Sequence, residues 1–308
     1  MLKFDVVIPS YRRIDELKRA VSSVLQQGTY VGDIVIVDDA SPNQADIQQM
    51  LSGFSDARII FVANQKKSNA ASTRNQGVTY CRNEWIAFLD SDDEFLAGKF
   101  EAIAKEIVVY PQTDVFYNKA MIYFNDDPEK SVPTRPKNNN EKIGDFLFVS
   151  NEIMQTSTLV VNRRLLVQPG FNPTYIRHQD YDFCLALEER GGVFGLVNHI
   201  GTVIYWNATE RPHNKGESVA YSEKWLIENK HRLSFEAQKG FYVNFVLMKA
   251  ARLGLRWQAV RYVASQRYSV NSPKLLLKLA FILMLPNALY FKLFVLKKKL
   301  KIKPSLET

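Results

Sequence analysis

The sequence has very few cysteines and lacks the pattern of a secreted protein. Its 308 residues include two cysteines, Cys81 and Cys184, which lie far apart and outside any CxxC motif. Such a pair does not form the disulfide framework of a small secreted domain, so we expect the protein to lie in a reducing compartment. We expect both thiols to be buried packing residues. The opening letters, MLKFDVVIPSYRR, follow a strand pattern and lack the charged start and apolar centre of a secretory signal.

A glycine-rich phosphate loop is also missing after the early strands. Where such a loop would follow the first strand the sequence reads PSYRRIDE, which contains no glycine. An NAD-linked enzyme would carry GxGxxG at this place and is excluded. A nucleotidyltransferase that makes nucleotide sugars would carry a glycine-rich basic loop there, so this class is disfavoured and kept only as an alternative.

Acidic residues are almost absent from the last quarter of the chain. Residues 240–308 hold 13 of the 40 basic residues and one of the 32 acidic ones, which predicts an anionic partner. Residues 273–296 are strongly apolar, but Leu279–Phe291, the longest uncharged run, has 13 residues. A spanning helix needs about 20. We therefore expect amphipathic helices on an anionic membrane surface; helices that pack on the rest of the chain, or form a homodimer, are the alternative.

The first hundred residues alternate strand and helix. Short apolar runs predict strands, and apolar residues at helical spacing predict the helices between them. The predicted strands are Phe4–Ile8, Ile34–Val37, Arg58–Val62 and Trp85–Leu89, and the predicted helices are 14–25, 43–54 and 72–82. Repeated βα units predict an α/β fold with a mostly parallel, Rossmann-like sheet, flanking helices and ligands at the carboxyl ends of the strands.

The rest of the chain is less regular. The polar stretch 126–142 is interpreted as a loop or flap, and Tyr181–Glu189 as a helix. From about residue 221 the pattern is helical, basic and apolar. We therefore predict two parts, a ligand-binding domain at 1–220 and a C-terminal helical extension at 221–308.

The strongest chemical signal is the run DSDD after the fourth strand. On an extended segment Asp90 and Asp92 would face one pocket while Ser91 faces away. Crowded carboxylates repel one another and are stabilised by a cation, and hard oxygen ligands favour Mg²⁺ or Mn²⁺. A solvated acidic turn that caps the next helix explains the same letters equally well.

Four weaker signals each have a plain structural alternative. Asp38 and Asp39 follow the second strand and could bind a nucleobase or ribose, whereas in the alternative Asp39 or Ser41 is the N-cap of the next helix. Arg74 could fork onto phosphate or base oxygens, or be a solvated helix residue. Asp180 lies near a predicted helix start as a general base or an N-cap. His213 lies in a polar, basic segment that is either a closing loop with a metal ligand or an ordinary surface loop.

Five segments, taken together and in order, resemble the inverting family 2 glycosyltransferases with a GT-A fold. These segments are VVIPSYRR, VDDAS, TRNQG, FLDSDD and QDYDF, and the similarity covers residues 3–215. The resemblance is to enzymes that build O-antigen, capsule and related surface polysaccharides. It implies a metal-dependent hexosyltransferase that uses a nucleotide diphosphate sugar, a UDP-sugar in particular, with Mn²⁺ or Mg²⁺.

The resemblance also implies roles for residues on the nucleotide side. Pro9 and Tyr11 would line the base pocket, with Tyr11 stacked on the base. Asp39, together with Asp38, would hydrogen-bond the base. Arg74 would contact the base or a phosphate.

On the reaction side, the resemblance implies that Asp90 holds the ribose and that Asp92 binds the metal. His213 falls where related enzymes often place a metal-binding or phosphate-binding histidine. Asp180 matches the catalytic base in the family's acidic pair. Here Gln179 occupies the first position of that pair in place of the usual Glu, which puts any acceptor contact of that Glu in doubt.

The acceptor implied by the resemblance is a saccharide on a polyprenyl diphosphate, not a nucleic acid. Such an acceptor predicts a cytoplasmic protein bound peripherally to the inner face of the cell membrane. Residues 145–158 are our prediction for part of the sugar pocket. A catalytically silent organiser of polysaccharide assembly is the alternative, although intact Asp92 and Asp180 argue against it.

Overall fold

The structure is a computed structural model that describes residues 2–124, 127–167, 170–206 and 218–252. The described residues fall into two compact units. The first takes those within Met1–Ile143 and Glu152–Lys215, and the second takes those within Gly144–Asn151 and from Gly216 on. His213 and the apolar segment 273–296 lie outside the described residues, and the predicted domain boundary at residue 220 stays a prediction.

The described part of the first unit contains a nine-stranded sheet. Each of the four predicted strands is present and differs from its predicted bounds by no more than a few residues. The strands are β1 (Phe4–Ser10), β2 (Val31–Asp38), β3 (Ile59–Ala63), β4 (Trp85–Phe88), β5 (Glu94–Phe95), β6 (Val115–Phe124), β7 (Asp127–Val132), β8 (Leu159–Asn162) and β9 (Phe194–Trp206).

The strand order is β3-β2-β1-β4-β8-β6-β9-β5, and β7 pairs with β6 outside this path. Strands β1 to β4 pair in parallel, as do β6 and β9. Strand β8 runs antiparallel to β4 and β6, and β5 and β7 are antiparallel to their partners. The predicted α/β fold is confirmed, and the antiparallel strands in its second half are additions that the βα pattern did not reveal.

Helices separate the parallel strands, as predicted. The helices are α1 (Asp15–Leu25), α2 (Gln44–Ser52), α3 (Ala70–Tyr80), α4 (Lys99–Val109), α5 (Ile143–Phe148), α6 (Gln179–Glu189), α7 (Val219–Asn229), α8 (Phe235–Phe241) and α9 (Met248–Arg252). A π-helical segment, Tyr242–Leu247, joins α8 to α9.

Close packing between α3 and β1 holds the site edge of the sheet together. Every residue of β1 is buried, because the strand lies in mid-sheet between β2 and β4. A Cβ atom added to Gly77 of α3 would lie 2.4 Å from Cγ1 of Val7, so only glycine allows this approach. Cys81 and Cys184 are both buried and free, and burial raises the pKa of each thiol, as expected of packing residues.

The interpretation of 126–142 as a loop is wrong for its first part. Asp127–Val132 forms β7, which pairs antiparallel with β6 and places Val132 opposite Ala120. Val132 is buried in a small apolar cluster with Ala120, Ile122 and Ile204. An edge strand is held by backbone hydrogen bonds to a neighbour distant in sequence, so its polar side chains carry no local signal.

The second unit is helical, as predicted, as far as the structure describes it. Phe148 packs edge-on against Phe241, with 5.1 Å between ring centroids, and Trp225 stacks on Phe241 at 4.6 Å. Over the residues up to 252 that are described, no helix is both long enough and apolar enough to cross a membrane.

Candidate active site

The carboxyl ends of β1, β2 and β4 meet at one edge of the sheet. In the parallel register Ser10 lies opposite Asp38, and Val7 lies opposite Phe88. Parallel strands end at a common edge, so segments that are distant in sequence converge there. The predicted site residues that lie at or just after these strand ends are Pro9, Tyr11, Asp38, Asp39, Asp90 and Asp92.

Three carboxylates form a cluster just beyond β4. One carboxylate oxygen from each of Asp90, Asp92 and Asp93 lies within 4.8 Å of the others. Asp90 and Asp92 face one pocket, as expected, but not on an extended segment: the Asp93 N–H donates to the Asp90 carbonyl at 3.0 Å and closes a turn. The turn brings in Asp93, which an alternating strand pattern would have pointed away.

Burial raises the pKa of both Asp92 and Asp93. For Asp92 the loss of water has the largest effect, the Arg13 guanidinium opposes it, and the Asp90 carboxylate adds to it. For Asp93, which is 2% exposed, burial is again the main cause, followed by repulsion from Asp92 and Asp90. A divalent cation would relieve this repulsion, and three hard oxygen donors at this spacing fit Mg²⁺ or Mn²⁺.

Residues in and next to a short 3₁₀ turn, Thr156–Thr158, form hydrogen bonds with the acidic cluster. Gln155, just before it, donates from Nε2 to Asp90 at 3.0 Å and to Asp93 at 3.2 Å. The Ser157 hydroxyl donates to Asp93 at 2.6 Å and accepts the Asp90 N–H at 3.0 Å. The prediction that 145–158 contribute to the site did not single out these residues, because a polar turn has no distinguishing periodicity.

Arg74 of α3 connects the acidic cluster to the start of α6. Its guanidinium is almost fully buried, with Nη2 at 2.5 Å from Asp90 and Nη1 donating to Gln179 at 3.0 Å. Burial alone would lower the pKa of Arg74, but the carboxylates of Asp90 and Asp180 outweigh it and raise the pKa. Arg74 is therefore a buried cation bound by Asp90 and Gln179, which excludes the alternative of a solvated helix residue.

Asp180 lies in the first turn of α6, where its carboxylate accepts a hydrogen bond from the Thr156 hydroxyl. The residue that precedes the helix is His178, so the alternative of an N-cap at Asp180 is wrong. Burial raises the pKa of Asp180, and the Asp90 carboxylate raises it further, while Arg74 and Thr156 oppose the rise. A half-buried carboxylate with a raised pKa suits a general base.

The neighbouring Asp38 and Asp39 have different environments. Asp38 is fully buried and accepts from the Ser41 N–H and the Gln44 Nε2, at 2.7 and 2.8 Å. One oxygen of Asp39 accepts from the N–H and hydroxyl of Ser68, both at 2.7 Å. The residue that precedes α2 is Asn43, so the alternative of an N-cap at Asp39 or Ser41 is also wrong.

The end of β1 supplies a buried proline and a half-buried aromatic ring. Pro9 lies inside the sheet, opposite Val37 of β2, and Tyr11 follows the strand. The Lys67 ammonium lies 3.2 Å from the centroid of the Tyr11 ring, so the ring already serves as a platform for a flat or cationic partner. Within the described residues, Ser10 Oγ and Arg74 Nε are buried without a hydrogen-bond partner.

Three strained backbone positions flank these residues. Arg12, Ala40 and His178 have φ angles of +63°, +57° and +61°, in the left-handed region that non-glycine residues rarely occupy. They adjoin Tyr11, Asp39 and the start of α6. Strain of this kind costs about 1–3 kcal/mol per residue and is concentrated where a protein orients functional side chains.

Two arginines from the start of the chain reach the acidic cluster. Nη1 of Arg13 lies 2.6 Å from Oδ2 of Asp92, and each side chain is about one-third exposed. Arg19 of α1 donates from Nη2 to the Asp92 carbonyl at 2.9 Å and pairs with Glu94 at 2.8 Å. Neither arginine is among the residues predicted for the site, although Arg13 lies inside the VVIPSYRR segment.

Comparison with known proteins gives one family and several relatives. Residues 5–168 match the family described as "Glycosyl transferase family 2". The "Amylovoran biosynthesis glycosyltransferase AmsB" of Erwinia amylovora is 27% identical over 270 residues, which cover 83% of this chain and 85% of that protein. The "UDP-Glc:alpha-D-GlcNAc-diphosphoundecaprenol beta-1,3-glucosyltransferase WfgD" of Escherichia coli is 26% identical over 190 residues, which cover 59% and 68%.

A similar fold occurs among solved structures. The crystal structure of S. aureus TarS 1-349 in complex with UDP-GlcNAc has a TM-score of 0.57 and 16% sequence identity. The alignment covers 91% of this chain and 79% of that one. At this identity the likeness shows the fold alone.

Proposed function

We propose, on the premise that this chain belongs to glycosyl transferase family 2, that it moves a sugar from a nucleotide diphosphate to a hydroxyl group of a growing surface polysaccharide. The family and the GT-A fold expected from the sequence are confirmed by the family match and by the TarS likeness. The names of the amylovoran and WfgD relatives support the polysaccharide role. The observation that carries the proposal is the acidic cluster of Asp90, Asp92 and Asp93 beside Asp180.

The nucleotide would bind over the ends of β1 and β2. Tyr11 would stack on the base beside Pro9, and Asp39 would accept a hydrogen bond from it. We assign a supporting role to Asp38, because its contacts with Ser41 and Gln44 brace the turn that holds Asp39. Arg74, whose Nε is buried without a partner, would donate to the base or a phosphate.

The metal would be held by the acidic cluster, with Asp92 as its most accessible ligand and His213 as a further predicted one. A bound Mn²⁺ or Mg²⁺ supplies Lewis-acid stabilisation of the charge that develops on the diphosphate. Asp90, fixed by Arg74 and Gln155, would hold the ribose at the edge of this cluster. Asp93 is the addition that the fold makes to the predicted ligands.

Asp180 would act as the base in a single displacement. The acceptor oxygen attacks the anomeric carbon as its proton passes to the Asp180 carboxylate. The bond from that carbon to the diphosphate oxygen breaks, and the diphosphate leaves with the electron pair. Attack from the face opposite the leaving group inverts the anomeric centre, so an α-linked donor gives a β-linkage.

The acceptor would be a saccharide on a polyprenyl diphosphate, presented at the inner face of the cell membrane. WfgD is named for transfer to such a lipid-linked sugar, which supports this class of acceptor. The basic and apolar residues after 240 would hold the protein peripherally on the anionic surface.

Two isosteric variants test the site. With UDP and Mn²⁺ as probes, Asp92→Asn should lose the increase in UDP affinity that Mn²⁺ provides in the wild type. Asp180→Asn should keep UDP and Mn²⁺ binding and lose turnover of its UDP-sugar by about 10²- to 10⁴-fold, the range expected for a general base. Binding is measured by calorimetry, and turnover by release of UDP across a panel of UDP-sugars.

Asp46→Asn is the matched control, because Asp46 is an exposed carboxylate on α2. It should behave as the wild type in both assays. Full transfer by both Asp92→Asn and Asp180→Asn would refute the site assignment. A wild-type chain that binds UDP and turns over no UDP-sugar would instead support the silent organiser.

A further inference from the structure

We propose that Arg13 is an internal counter-ion for Asp92 and prevents tight binding of a divalent cation until a nucleoside diphosphate draws its guanidinium away. The cation and the nucleotide would then bind cooperatively. This inference rests on the proposed function, since it concerns how the same acidic cluster is loaded.

The contact itself is short and local. Nη1 of Arg13 lies 2.6 Å from Oδ2 of Asp92, with 33% and 32% of the two side chains exposed. The other two carboxylates are held from inside the fold, Asp90 by Arg74 and Asp93 by Ser157. Asp92 is therefore the ligand most open to a cation, and Arg13 occupies it.

The guanidinium opposes a cation in two ways. It takes up a carboxylate oxygen that a metal would need, and its positive charge repels a second cation within the same few ångströms. A guanidinium is protonated at neutral pH, so Arg13 places a full positive charge beside Asp92. The acidic cluster is thus partly neutralised before any metal arrives.

The Arg13 side chain can leave Asp92 while the backbone beside it stays in place. The preceding residue, Arg12, has its N–H bonded to the Ser41 hydroxyl at 2.7 Å and its φ at +63°. Arg13 itself is about one-third exposed and joined to the fold by flexible bonds. A diphosphate offers more charge and a forked set of oxygens, which the planar guanidinium prefers to a single carboxylate oxygen.

The exchange preserves the ion pairing of Arg13 while it frees Asp92. The nucleotide then contributes to metal affinity through its phosphate oxygens and also through the release of Asp92. By linkage, the metal must raise the affinity for the nucleotide by the same factor. A partly exposed ion pair of this kind changes a binding constant by about fivefold.

The test is a Mn²⁺ titration of the full chain, with and without UDP, by calorimetry. Arg13→Met should bind Mn²⁺ alone about fivefold more tightly than the wild type, since it removes a competing charge. UDP should then strengthen Mn²⁺ binding less in Arg13→Met than in the wild type. Arg13→Lys keeps the charge and should remain close to the wild type in both measurements.

Arg58→Met is the matched control. Arg58 pairs with Asp56 at the same 2.6 Å and is 34% exposed, but it belongs to a different ion pair. It should change neither measurement. If Arg13→Met fails to fold in a thermal melt, Arg13→Gln removes the same charge with a polar side chain and carries the same expectation.

Equal Mn²⁺ affinity without UDP in the wild type and in the folded uncharged variant would overturn the proposal. The proposal would also be overturned if UDP strengthened Mn²⁺ binding by the same factor in the uncharged variant as in the wild type. A wild type that binds no Mn²⁺ even with UDP would overturn the proposed metal site as well. The two failures are therefore distinguishable.

Discussion

Arg74 is the residue through which the acidic cluster and Asp180 interact electrostatically. It is 5% exposed, and it contacts both Asp90 and the helix start that carries Asp180. The pKa of Asp180 is raised by burial and by Asp90, and Arg74 opposes this rise. One buried cation thus both holds Asp90 and favours the ionised form of Asp180, the proposed base.

Replacement of this cation should move the pH dependence of turnover. Asp180 must be ionised to accept a proton, so activity falls as the pH drops through its pKa. Arg74→Met removes a positive charge that lowers this pKa, so the acid limb of kcat should shift to higher pH. The measurement is kcat at saturating donor against pH.

Arg74→Lys keeps the charge and is the control, because its acid limb should stay closer to that of the wild type. We expect both variants to bind the donor more weakly. This does not affect the position of the acid limb, because kcat is measured at saturating donor. An acid limb that stays in place in Arg74→Met would show that another group accepts the proton.

At the scale of elements, the packing of α3 on β1 places the site. Arg74 and Gly77 lie on the same helix, and Gly77 allows that helix to approach Val7. A helix normally gains stability when a glycine is replaced by alanine. Here the added methyl group would clash with Val7 of the buried strand β1. The cost of this clash exceeds the gain in helix propensity.

Gly77→Ala should therefore destabilise the protein by about 1–3 kcal/mol, the usual cost of overpacking. It should also weaken UDP binding, because the displaced helix carries Arg74. Thr79→Ala, at an exposed position on the same helix, is the control and should change stability by less than about 0.5 kcal/mol. Urea denaturation and UDP titration measure the two effects, and a stabilised Gly77→Ala would contradict the packing argument.

At the scale of the whole molecule, the excess of basic over acidic residues is concentrated in the last part of the chain. Residues 240–308 carry 13 basic residues and one acidic residue. Such a segment is attracted to anionic lipid at low salt. The five lysines between 297 and 303 lie outside the described residues, so their contribution is a prediction from the sequence.

Replacement of these five lysines by serine should weaken binding to vesicles that contain phosphatidylglycerol, by about 1 kcal/mol for each lysine at the surface. The lysines are Lys297, Lys298, Lys299, Lys301 and Lys303. Vesicles of phosphatidylcholine alone are the control and should bind the wild type weakly. Sedimentation with the vesicles measures the binding. Unchanged binding to phosphatidylglycerol would favour the alternative in which these helices pack on protein.

The sequence by itself determined the parallel half of the sheet and the place of the predicted residues that follow β1, β2 and β4. Apolar runs such as Phe4–Ile8 must be covered on both faces, and helices between them require parallel strands. The residues after β1, β2 and β4 then have to meet at one edge. This logic is local in sequence, so it could be followed without coordinates.

Only the tertiary structure decided which partners these residues have. Asp93 joins the acidic cluster because a turn replaces an extended segment, and Gln155 and Ser157 reach it from a distant part of the chain. The contact of Arg13 with Asp92 likewise depends on how two strand ends are aligned. Hydrogen bonds and ion pairs between distant segments leave no periodic trace in sequence, because they are set by packing in three dimensions.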